Sequence, residues 1–292
     1  MPLKMMKTNE GRCIRMTVAY DGSDFSGWQR QPSARSVQGE LEKALQTMHG
    51  HPVGLSAAGR TDRGVHAVGQ VVHFHTDIAS IPPQKFRLAL NKLMPRDVRI
   101  VDACEAHPDF HARYDARLRQ YKYYLRFDSP PMPHLDRYAW RLNHRPNLAR
   151  LNRLAACLHG EIDCSAFACA KDPHDNRSRY LHHAIFYMEQ DALIFDVAAN
   201  AFLWHMVRSL VGTLIELDKD GADDQAMARI LASGERQEAG VTSPAHGLFL
   251  WKVDYYLRPT RHTRPNNGIG LEVAATGSEG PGTRLVPGLG YI

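Results

Sequence analysis

One carboxylate stands between two guanidinium groups in the stretch AAGRTDRGVHAVGQ, residues 57 to 70. Asp62 has Arg60 and Arg63 on either side, and glycines lie close by in the sequence. Neighbouring cations favour the ionised carboxylate, so this aspartate is suited to act as a nucleophile or a general base. The glycines would let a ligand approach the backbone closely. A surface turn with a solvated ion pair fits the same residues, so both interpretations stay open at this point.

A second segment, residues 110 to 127, interleaves cations with tyrosines along a predicted strand. The cations are Arg113, Arg117, Arg119, Lys122 and Arg126, and the tyrosines are Tyr114, Tyr121, Tyr123 and Tyr124. Cations can bind the RNA backbone while aromatic rings stack on bases, which favours an RNA-binding surface. Arg119, Tyr121 and Tyr123 would project from one side of the strand and Lys122 from the other. An amphipathic strand with its tyrosines half in the core is the alternative.

A third candidate lies in a long apolar helix predicted over residues 201 to 217. Arg208 sits on the flank of the apolar stripe, in the middle of that helix. A half-buried guanidinium needs an anionic partner, which is either a protein carboxylate or a ligand. The sequence alone leaves the structural salt bridge and the ligand site both open.

Three histidines follow the aspartate loop, and they raise the question of a metal. His73 and His75 would share one face of a strand, and His66 precedes them. Neither HExxH nor a comparable ligand spacing occurs, so we expect neither a metal site nor any other cofactor. The glycine spacing of GVHAVG also matches no phosphate-binding loop.

The elements that must position these residues alternate between strands and helices. Alternating apolar residues predict strands over 14–20, 70–75, 98–103, 118–127, 184–189, 193–198 and 248–254. Helical spacing predicts one helix between a Ser36 N-cap and Gly50 and others over 84–93, 148–158, 201–217 and 224–231. The strands 184–189 and 193–198 are so close that they should form an antiparallel hairpin. We therefore expect an α+β fold, with two α/β halves around a central, mainly antiparallel sheet.

Composition sets the wider limits on class and partners. The 292 residues are 43% hydrophobic and carry a formal net charge of +5, which mildly favours a polyanionic partner. Five cysteines without a CxxC pair predict neither disulfides nor thiolate zinc, which favours a reducing cytoplasm. No signal peptide or membrane segment is expected. We predict a flexible N-terminus (1–12), an N-terminal half with the aspartate loop (13–110), a C-terminal half (111–257) and a Gly/Pro-rich, disordered tail (258–292).

Six blocks of sequence, in order, resemble the tRNA pseudouridine synthases of the TruA family. They are YDGSDFSGWQRQP (20–32), SVQGELEKAL (36–45), AGRTDRGVHAVGQVVHF (58–74), DFHARYDARLRQYKYYL (109–125), ANAFLWHMVRSLVGTL (199–214) and GLFLWKVDY (247–255). The GRTDxGVHA core is highly specific, and the blocks cover nearly all of residues 14 to 256. Two departures stand out: Arg63 replaces a commoner alanine, and Ala168 lacks the customary arginine.

The resemblance implies a fold, an activity and a set of site residues. The fold would be the pseudouridine synthase fold with a basic RNA-binding cleft, in a homodimer. Asp62 would be the catalytic aspartate, Arg60 and Arg208 its flanking basic residues, and Tyr121 the active-site tyrosine. The substrate would be uridine at positions 38, 39 and 40 of the tRNA anticodon stem-loop, isomerised to pseudouridine without a metal or redox cofactor.

Further residues are expected to contact RNA: Arg63, Gln29, Arg30, His66, Arg113, Arg119 and Lys122. Phe25 and Trp28 form a turn that is either an RNA-contacting loop or capped core. The alternative functions are a noncatalytic RNA-binding or chaperone protein on the same scaffold and a metal-dependent hydrolase built on the three histidines. The intact GRTDRGVH stretch argues against both.

Overall fold

The computed structural model describes residues 11–128, 130–170 and 172–256. Most of the predicted flexible N-terminus (1–12) and the predicted tail (258–292) lie outside these residues. The part of the chain that is described contains no helix long and apolar enough to cross a membrane.

The first strand and helix follow directly from the sequence pattern. Strand β1, Arg12–Tyr20, buries every second side chain from Ile14 onward, as a half-buried strand does. Helix α1, Val37–His49, begins where the Ser36 hydroxyl accepts a hydrogen bond from the Gly39 N–H, and it ends at Gly50 in the left-handed conformation. The predicted N-cap and the predicted end of this helix are both confirmed.

The remaining strands and helices alternate along the chain. The strands are β2 Leu55–Ala57, β3 His66–Thr76, β4 Val98–Glu105, β5 Leu118–Arg126, β6 Trp140–Arg141, β7 Gly160–Asp163, β8 Ser178–Glu189, β9 Ala192–Ala199 and β10 Leu248–Asp254. The helices are α2 Pro83–Leu93, α3 Pro133–Asp136, α4 Leu148–Ala155, α5 Met206–Lys219 and α6 Ala226–Ser233, with short 3₁₀ helices at Ser165–Phe167 and Ala245–Gly247. The last strand has the predicted bounds. Strands β8 and β9 form the predicted antiparallel hairpin.

A single mixed sheet joins the two ends of the described chain. Its strand order is β4-β1-β3-β10-β5-β9-β8-β7, with β2 added beside β3 and β6 beside β5. Most neighbours are antiparallel, but β10 runs parallel to β3 and β6 parallel to β5. The final strand β10 therefore lies between strands from the two predicted halves. The α+β fold with a central, mainly antiparallel sheet is confirmed.

One helix begins later than its apolar stripe predicts. The prediction for α5 began at residue 201, but the helix begins at Met206, because His205 adopts a left-handed φ of +65°. The preceding backbone is also held from outside: the Trp204 N–H donates to the Asp172 carboxylate over 2.5 Å. The segment before α5 is thus an anchored loop rather than a first helical turn.

Candidate active site

The aspartate loop connects β2 to β3 and is fixed at both ends by the sheet. The Ala58 N–H donates to the Val71 carbonyl over 2.8 Å, and the Gln70 side-chain amide donates to the Gly59 carbonyl over 2.8 Å. Gln70 is fully buried, so its hydrogen bond to the loop is shielded from water. The loop that carries Asp62 is therefore held in place before any ligand arrives.

The turn at residues 25–28 supports the centre of the same loop. The Trp28 N–H donates to the Thr61 carbonyl over 3.0 Å, and the hydroxyls of Thr61 and Tyr20 lie 2.7 Å apart. Gly27 has a φ of +100°, and a Cβ at this position would come within 2.9 Å of the Thr61 carbonyl oxygen. Phe25 and Trp28 are buried in the core. Of the two readings of this turn, the structure supports capped core that holds the loop.

Asp62 projects from this loop towards the segment that precedes α5. Its side chain is 26% exposed. The Trp204 indole N–H donates to Oδ1 over 2.8 Å, while the other oxygen, Oδ2, faces His205 Nε2 at 3.3 Å and an Arg208 guanidinium nitrogen at 3.4 Å. Each carboxylate oxygen has two lone pairs, so this set of contacts leaves capacity for a ligand.

Arg208 is the cation of this site, and hydrogen bonding to Ser243 holds it in position. Its Nε donates to the Ser243 carbonyl over 2.7 Å, and the Ser243 N–H donates back to the Arg208 carbonyl over 3.1 Å. Its side chain is only 16% exposed, and its anionic partner is Asp62 itself. The sequence left open whether Arg208 pairs with a protein carboxylate or with a ligand. The structure pairs it with a protein carboxylate, Asp62, which itself has capacity left for a ligand.

The arginines adjacent to Asp62 in sequence do not pair with it. Arg60 and Arg63 are exposed. Within the described residues, the basic side chains at ion-pair distance from Asp62 are those of His205 and Arg208, and Arg208 is the cation of the two. The chain turns directly after Asp62, where the Val65 N–H donates to the Asp62 carbonyl over 3.2 Å, so side chains adjacent in sequence need not face the same way.

Tyr121 lies on β5, close enough to Asp62 for the carboxylate charge to affect the pKa of its phenol. Burial raises the pKa of the phenol well above its usual value, and the nearby Tyr20 and Asp62 raise it further. The ring packs edge-on against Phe202, with centroids 5.0 Å apart. A phenol with a raised pKa stays protonated near neutral pH, so it can donate a hydrogen bond or stack on a base but is not a resting general base.

His205 completes the site and was missed by the sequence analysis, as was Trp204. Burial lowers the pKa of His205, the charge of Asp62 opposes this, and Arg208 and Arg236 lower it further. The ring is therefore neutral near pH 7. The apolar helical period hid both residues, because it extended the helix back to residue 201. The adjacent pair WH in FLWHMVR, with polar ring nitrogens beside an apolar run, is the signal that could have identified them.

The remaining residues predicted to contact RNA lie in varied surroundings. Gln29, Arg63 and Arg113 are exposed, and Arg30 is exposed beside Glu42. Lys122 lies over the Trp251 ring, 4.3 Å from its centroid.

Two of these predicted contacts involve side chains already engaged by the protein. Arg119 donates to the carbonyls of Ala116, Asn200, Ala58 and Arg113. His66 is buried, where its Nδ1 accepts from the Gly22 N–H and its Nε2 faces the His246 carbonyl. Burial lowers the pKa of His66, which keeps the ring neutral. The structure adds no support for RNA contacts by either side chain, and these contacts stay predictions.

The histidines considered as metal ligands do not form a metal site in the described part of the chain. No group of three or more His, Cys, Asp or Glu side chains is placed there to hold an ion. Burial, reinforced by His111 and His75, lowers the pKa of His73 to about 4, while its Nδ1 accepts from the Ala112 N–H. His73 is therefore a neutral, hydrogen-bonded core residue.

Comparison with known proteins gives consistent matches over most of the chain. A family model described as tRNA pseudouridine synthase matches residues 16–115 and 154–256. The tRNA pseudouridine synthase A of Treponema denticola is 47% identical over 247 residues, covering 83% of this chain and 92% of that protein. The proteins of the same name from Treponema pallidum and Moorella thermoacetica are 39% and 42% identical, covering 92% and 83% of this chain and 98% and 99% of theirs.

A solved archaeal complex, the box H/ACA sRNP Nop10-Cbf5 complex, overlaps this chain with a TM-score of 0.31 at 11% identity. The overlap covers 70% of this chain and 43% of that one, and it is too weak to support an inference.

Proposed function

The chain belongs to the tRNA pseudouridine synthase family, and we propose that it isomerises uridines 38, 39 and 40 in the anticodon stem-loop of tRNA. Members of this family are isomerases that convert uridine in tRNA to pseudouridine. The observation that carries the proposal is the half-buried Asp62, held in a fixed loop and facing Arg208 and His205. The choice of positions 38, 39 and 40 rests on the sequence blocks that resemble the TruA family.

The reaction rearranges one nucleoside and needs no outside atoms. The N1–C1′ glycosidic bond breaks, the ribose C1′ joins C5 of the same uracil, and the proton displaced from C5 is balanced by one gained at N1. A carboxylate can attack a carbon as a nucleophile or remove a proton as a base. Asp62 would take one of these roles, either at the ribose or at the base.

Tyr121 and Arg208 would hold the reacting nucleoside against Asp62. The target uridine must leave the base stack, which costs a few kcal/mol, so the site must bind the extruded base. Tyr121 stacks on that base in this proposal, and its raised pKa keeps the phenol protonated before the base arrives. Arg208 faces Asp62 and would grip the flanking phosphate together with Arg60.

Exposed cations would supply the salt-dependent affinity for the RNA backbone. The cations Arg30, Arg63 and Arg113 are exposed, as is the neutral Gln29, and the net charge of the chain is +5. Contacts between such cations and phosphates release counterions, which makes binding weaker as salt rises. We also propose a homodimer and a cytoplasmic location, the latter supported by five free cysteines.

The test is incubation with unmodified tRNA followed by chemical mapping of pseudouridine. We expect product at positions 38, 39 and 40 with the wild-type protein and none with Asp62→Asn. A tRNA with cytidine at these three positions is the matched control and should yield no product. Pseudouridine formed elsewhere in the tRNA would refute the proposed positions, and a protein that binds tRNA without any product would favour the noncatalytic alternative.

A further inference from the structure

Trp204 is the closest hydrogen-bond donor to Asp62 among the described residues. Its indole Nε1 lies 2.8 Å from Asp62 Oδ1, whereas Arg208 and His205 stand 3.4 and 3.3 Å from Oδ2. Hydrogen bonds to a carboxylate are strongest at short distance, so the indole fixes the carboxylate plane more firmly than the two longer contacts do.

The backbone of Trp204 is itself held at both polar groups. Its N–H donates to Asp172 Oδ2 over 2.5 Å, and its carbonyl accepts from the Cys169 N–H over 3.0 Å. The residue as a whole nevertheless remains 43% exposed. A fixed backbone thus carries a partly exposed side chain that donates to Asp62.

Asp172 is the anchor of this arrangement. Its side chain is only 1% exposed. Its Oδ1 accepts from the His174 N–H at 2.9 Å and faces His174 Nδ1 at 2.7 Å, while Oδ2 accepts from Trp204. A buried carboxylate is costly unless its oxygens are hydrogen-bonded, and here both oxygens have partners within the loop and the Trp204 backbone.

We propose that Trp204 is a positioning residue for Asp62 and that Asp172 acts through Trp204 by fixing the backbone from which the indole donates. The inference rests on the proposed function, because it assumes that the orientation of Asp62 limits the rate of isomerisation. Trp204 itself takes no part in bond making or bond breaking. It lowers the cost of bringing the carboxylate into its reactive orientation.

The contact is tested first without any turnover, by ¹⁹F NMR of protein labelled with 5-fluorotryptophan. The chain has four tryptophans, so Trp204→Phe assigns one resonance by its loss. In Asp62→Ala and in Asp172→Asn this resonance should shift, while that of Trp140, on β6, should stay in place. An unmoved Trp204 resonance in Asp62→Ala would overturn the proposed contact.

The kinetic test is a double-mutant cycle under single-turnover conditions. We expect Trp204→Phe to lower the rate constant about tenfold, and Asp172→Asn about fivefold, with the tRNA concentration at half-saturation changed by less than about twofold. The double variant should be no slower than Trp204→Phe, because Phe offers no donor for Asp172 to position. Multiplicative losses in the double variant, or a normal rate for Trp204→Phe, would refute the proposal.

Trp140→Phe is the matched control and should keep the wild-type rate, because Trp140 packs edge-on against Tyr123 rather than at Asp62. Failure of the proposed function is distinguishable from failure of this inference. If wild type forms no pseudouridine at positions 38, 39 and 40, the proposed function fails, whatever the fluorine spectra show. If wild type is active and Trp204→Phe is equally active, only the inference fails.

Discussion

Two aspartates of this chain have similar exposure but very different surroundings. The side chains of Asp21 and Asp62 are 22% and 26% exposed, and each lies near an arginine and a histidine. Asp21 Oδ1 accepts two hydrogen bonds from Ser23, at 3.0 and 2.7 Å, and its Oδ2 accepts from Tyr138 at 2.9 Å and Arg137 at 3.0 Å. Asp62 has one short hydrogen bond, from Trp204.

The difference lies in how many acceptor sites each carboxylate has already used. A carboxylate offers about four lone-pair sites, and those of Asp21 are occupied by the protein, so it stabilises the fold. Burial tends to raise the pKa of Asp21, but the hydrogen bonds from Ser23 and Tyr138 outweigh it and lower that pKa. Asp62 retains acceptor capacity, because its one short hydrogen bond comes from Trp204. Unused hydrogen-bonding capacity, and not exposure or neighbouring charge, separates Asp62, the acid proposed to react, from Asp21.

The first prediction concerns the cation that faces Asp62. Arg208→Lys cannot donate to the Ser243 carbonyl and to Asp62 at once, because a single ammonium replaces a two-ended fork. We expect the single-turnover rate constant to fall about 100-fold, with tRNA affinity within about threefold of wild type. Arg229→Lys, which changes an exposed pair with Asp223, is the control. A rate loss below about threefold would show that this contact is dispensable.

The second prediction concerns the saturated carboxylate. Asp21→Asn replaces an acceptor-only group by one that must also donate, so its contacts with Ser23 and Tyr138 become imperfect. We expect the free energy of unfolding to fall by about 2 kcal/mol, measured by urea denaturation. The matched variant Asp62→Asn should change that free energy by less than about 0.5 kcal/mol. Equal stabilities for the two variants would remove the distinction drawn here.

Strands and helices could be predicted from the sequence where nearby residues both form the element and set its ends. Strand β1 has a strict alternation, helix α1 has its Ser36 cap and Gly50 end, and β10 has a short apolar run with clear limits. Helix α5 was predicted too long because an apolar period does not report a left-handed residue such as His205. The residue before it, Trp204, is also held by the carboxylate of Asp172, which lies outside any local pattern.

The third prediction extends the comparison to a buried histidine that is fully used by the fold. The pKa of His73 is lowered to about 4 by burial, then by His111 and His75, so below pH 6.5 the unfolded chain binds a proton that the folded chain does not. The contribution of His73 to the free energy of unfolding is therefore fully present above pH 6.5, and it is lost as the pH falls towards 4.

We expect His73→Asn, which keeps an acceptor for Ala112, to reduce the loss of unfolding free energy between pH 7 and 4.5 by about 1.5 kcal/mol. His107→Asn, at a side chain that is 78% exposed, is the control and should leave the pH dependence unchanged. An unaltered pH profile for His73→Asn would contradict the assignment of His73 as a neutral core residue.

The smallest effect should come from the solvent-exposed side of the Asp62 loop. Arg63→Ala removes one exposed cation, and we expect tRNA binding to weaken about threefold at low salt. The slope of log affinity against log salt should decrease by about one. Arg87→Ala, at an exposed position of α2, should leave that slope unchanged. If both variants behave alike, Arg63 contributes only to net charge.

The site could be predicted only in part, for a reason that these residues illustrate. The GRTDRG stretch pointed to Asp62 and the apolar helix pointed to Arg208. In both cases the sequence signal is a charged residue whose neighbours in the chain differ in character from it. The family resemblance named both Arg60 and Arg208 as the cations beside the acid, but spacing alone does not tell which one meets it, because Arg60 is a neighbour in the chain while Arg208 is a neighbour in space. Trp204 and His205 were missed because tertiary contacts, and not their spacing, give them their role.

The most direct test of the account is the single-turnover rate of pseudouridine formation by Asp21→Asn and Asp62→Asn, measured side by side. Enzyme should exceed the dissociation constant for tRNA, at a temperature where both variants are folded. The account predicts a rate within about tenfold of wild type for Asp21→Asn and a loss of at least about 1,000-fold for Asp62→Asn. Comparable losses in the two variants, or ready turnover by Asp62→Asn, would contradict it.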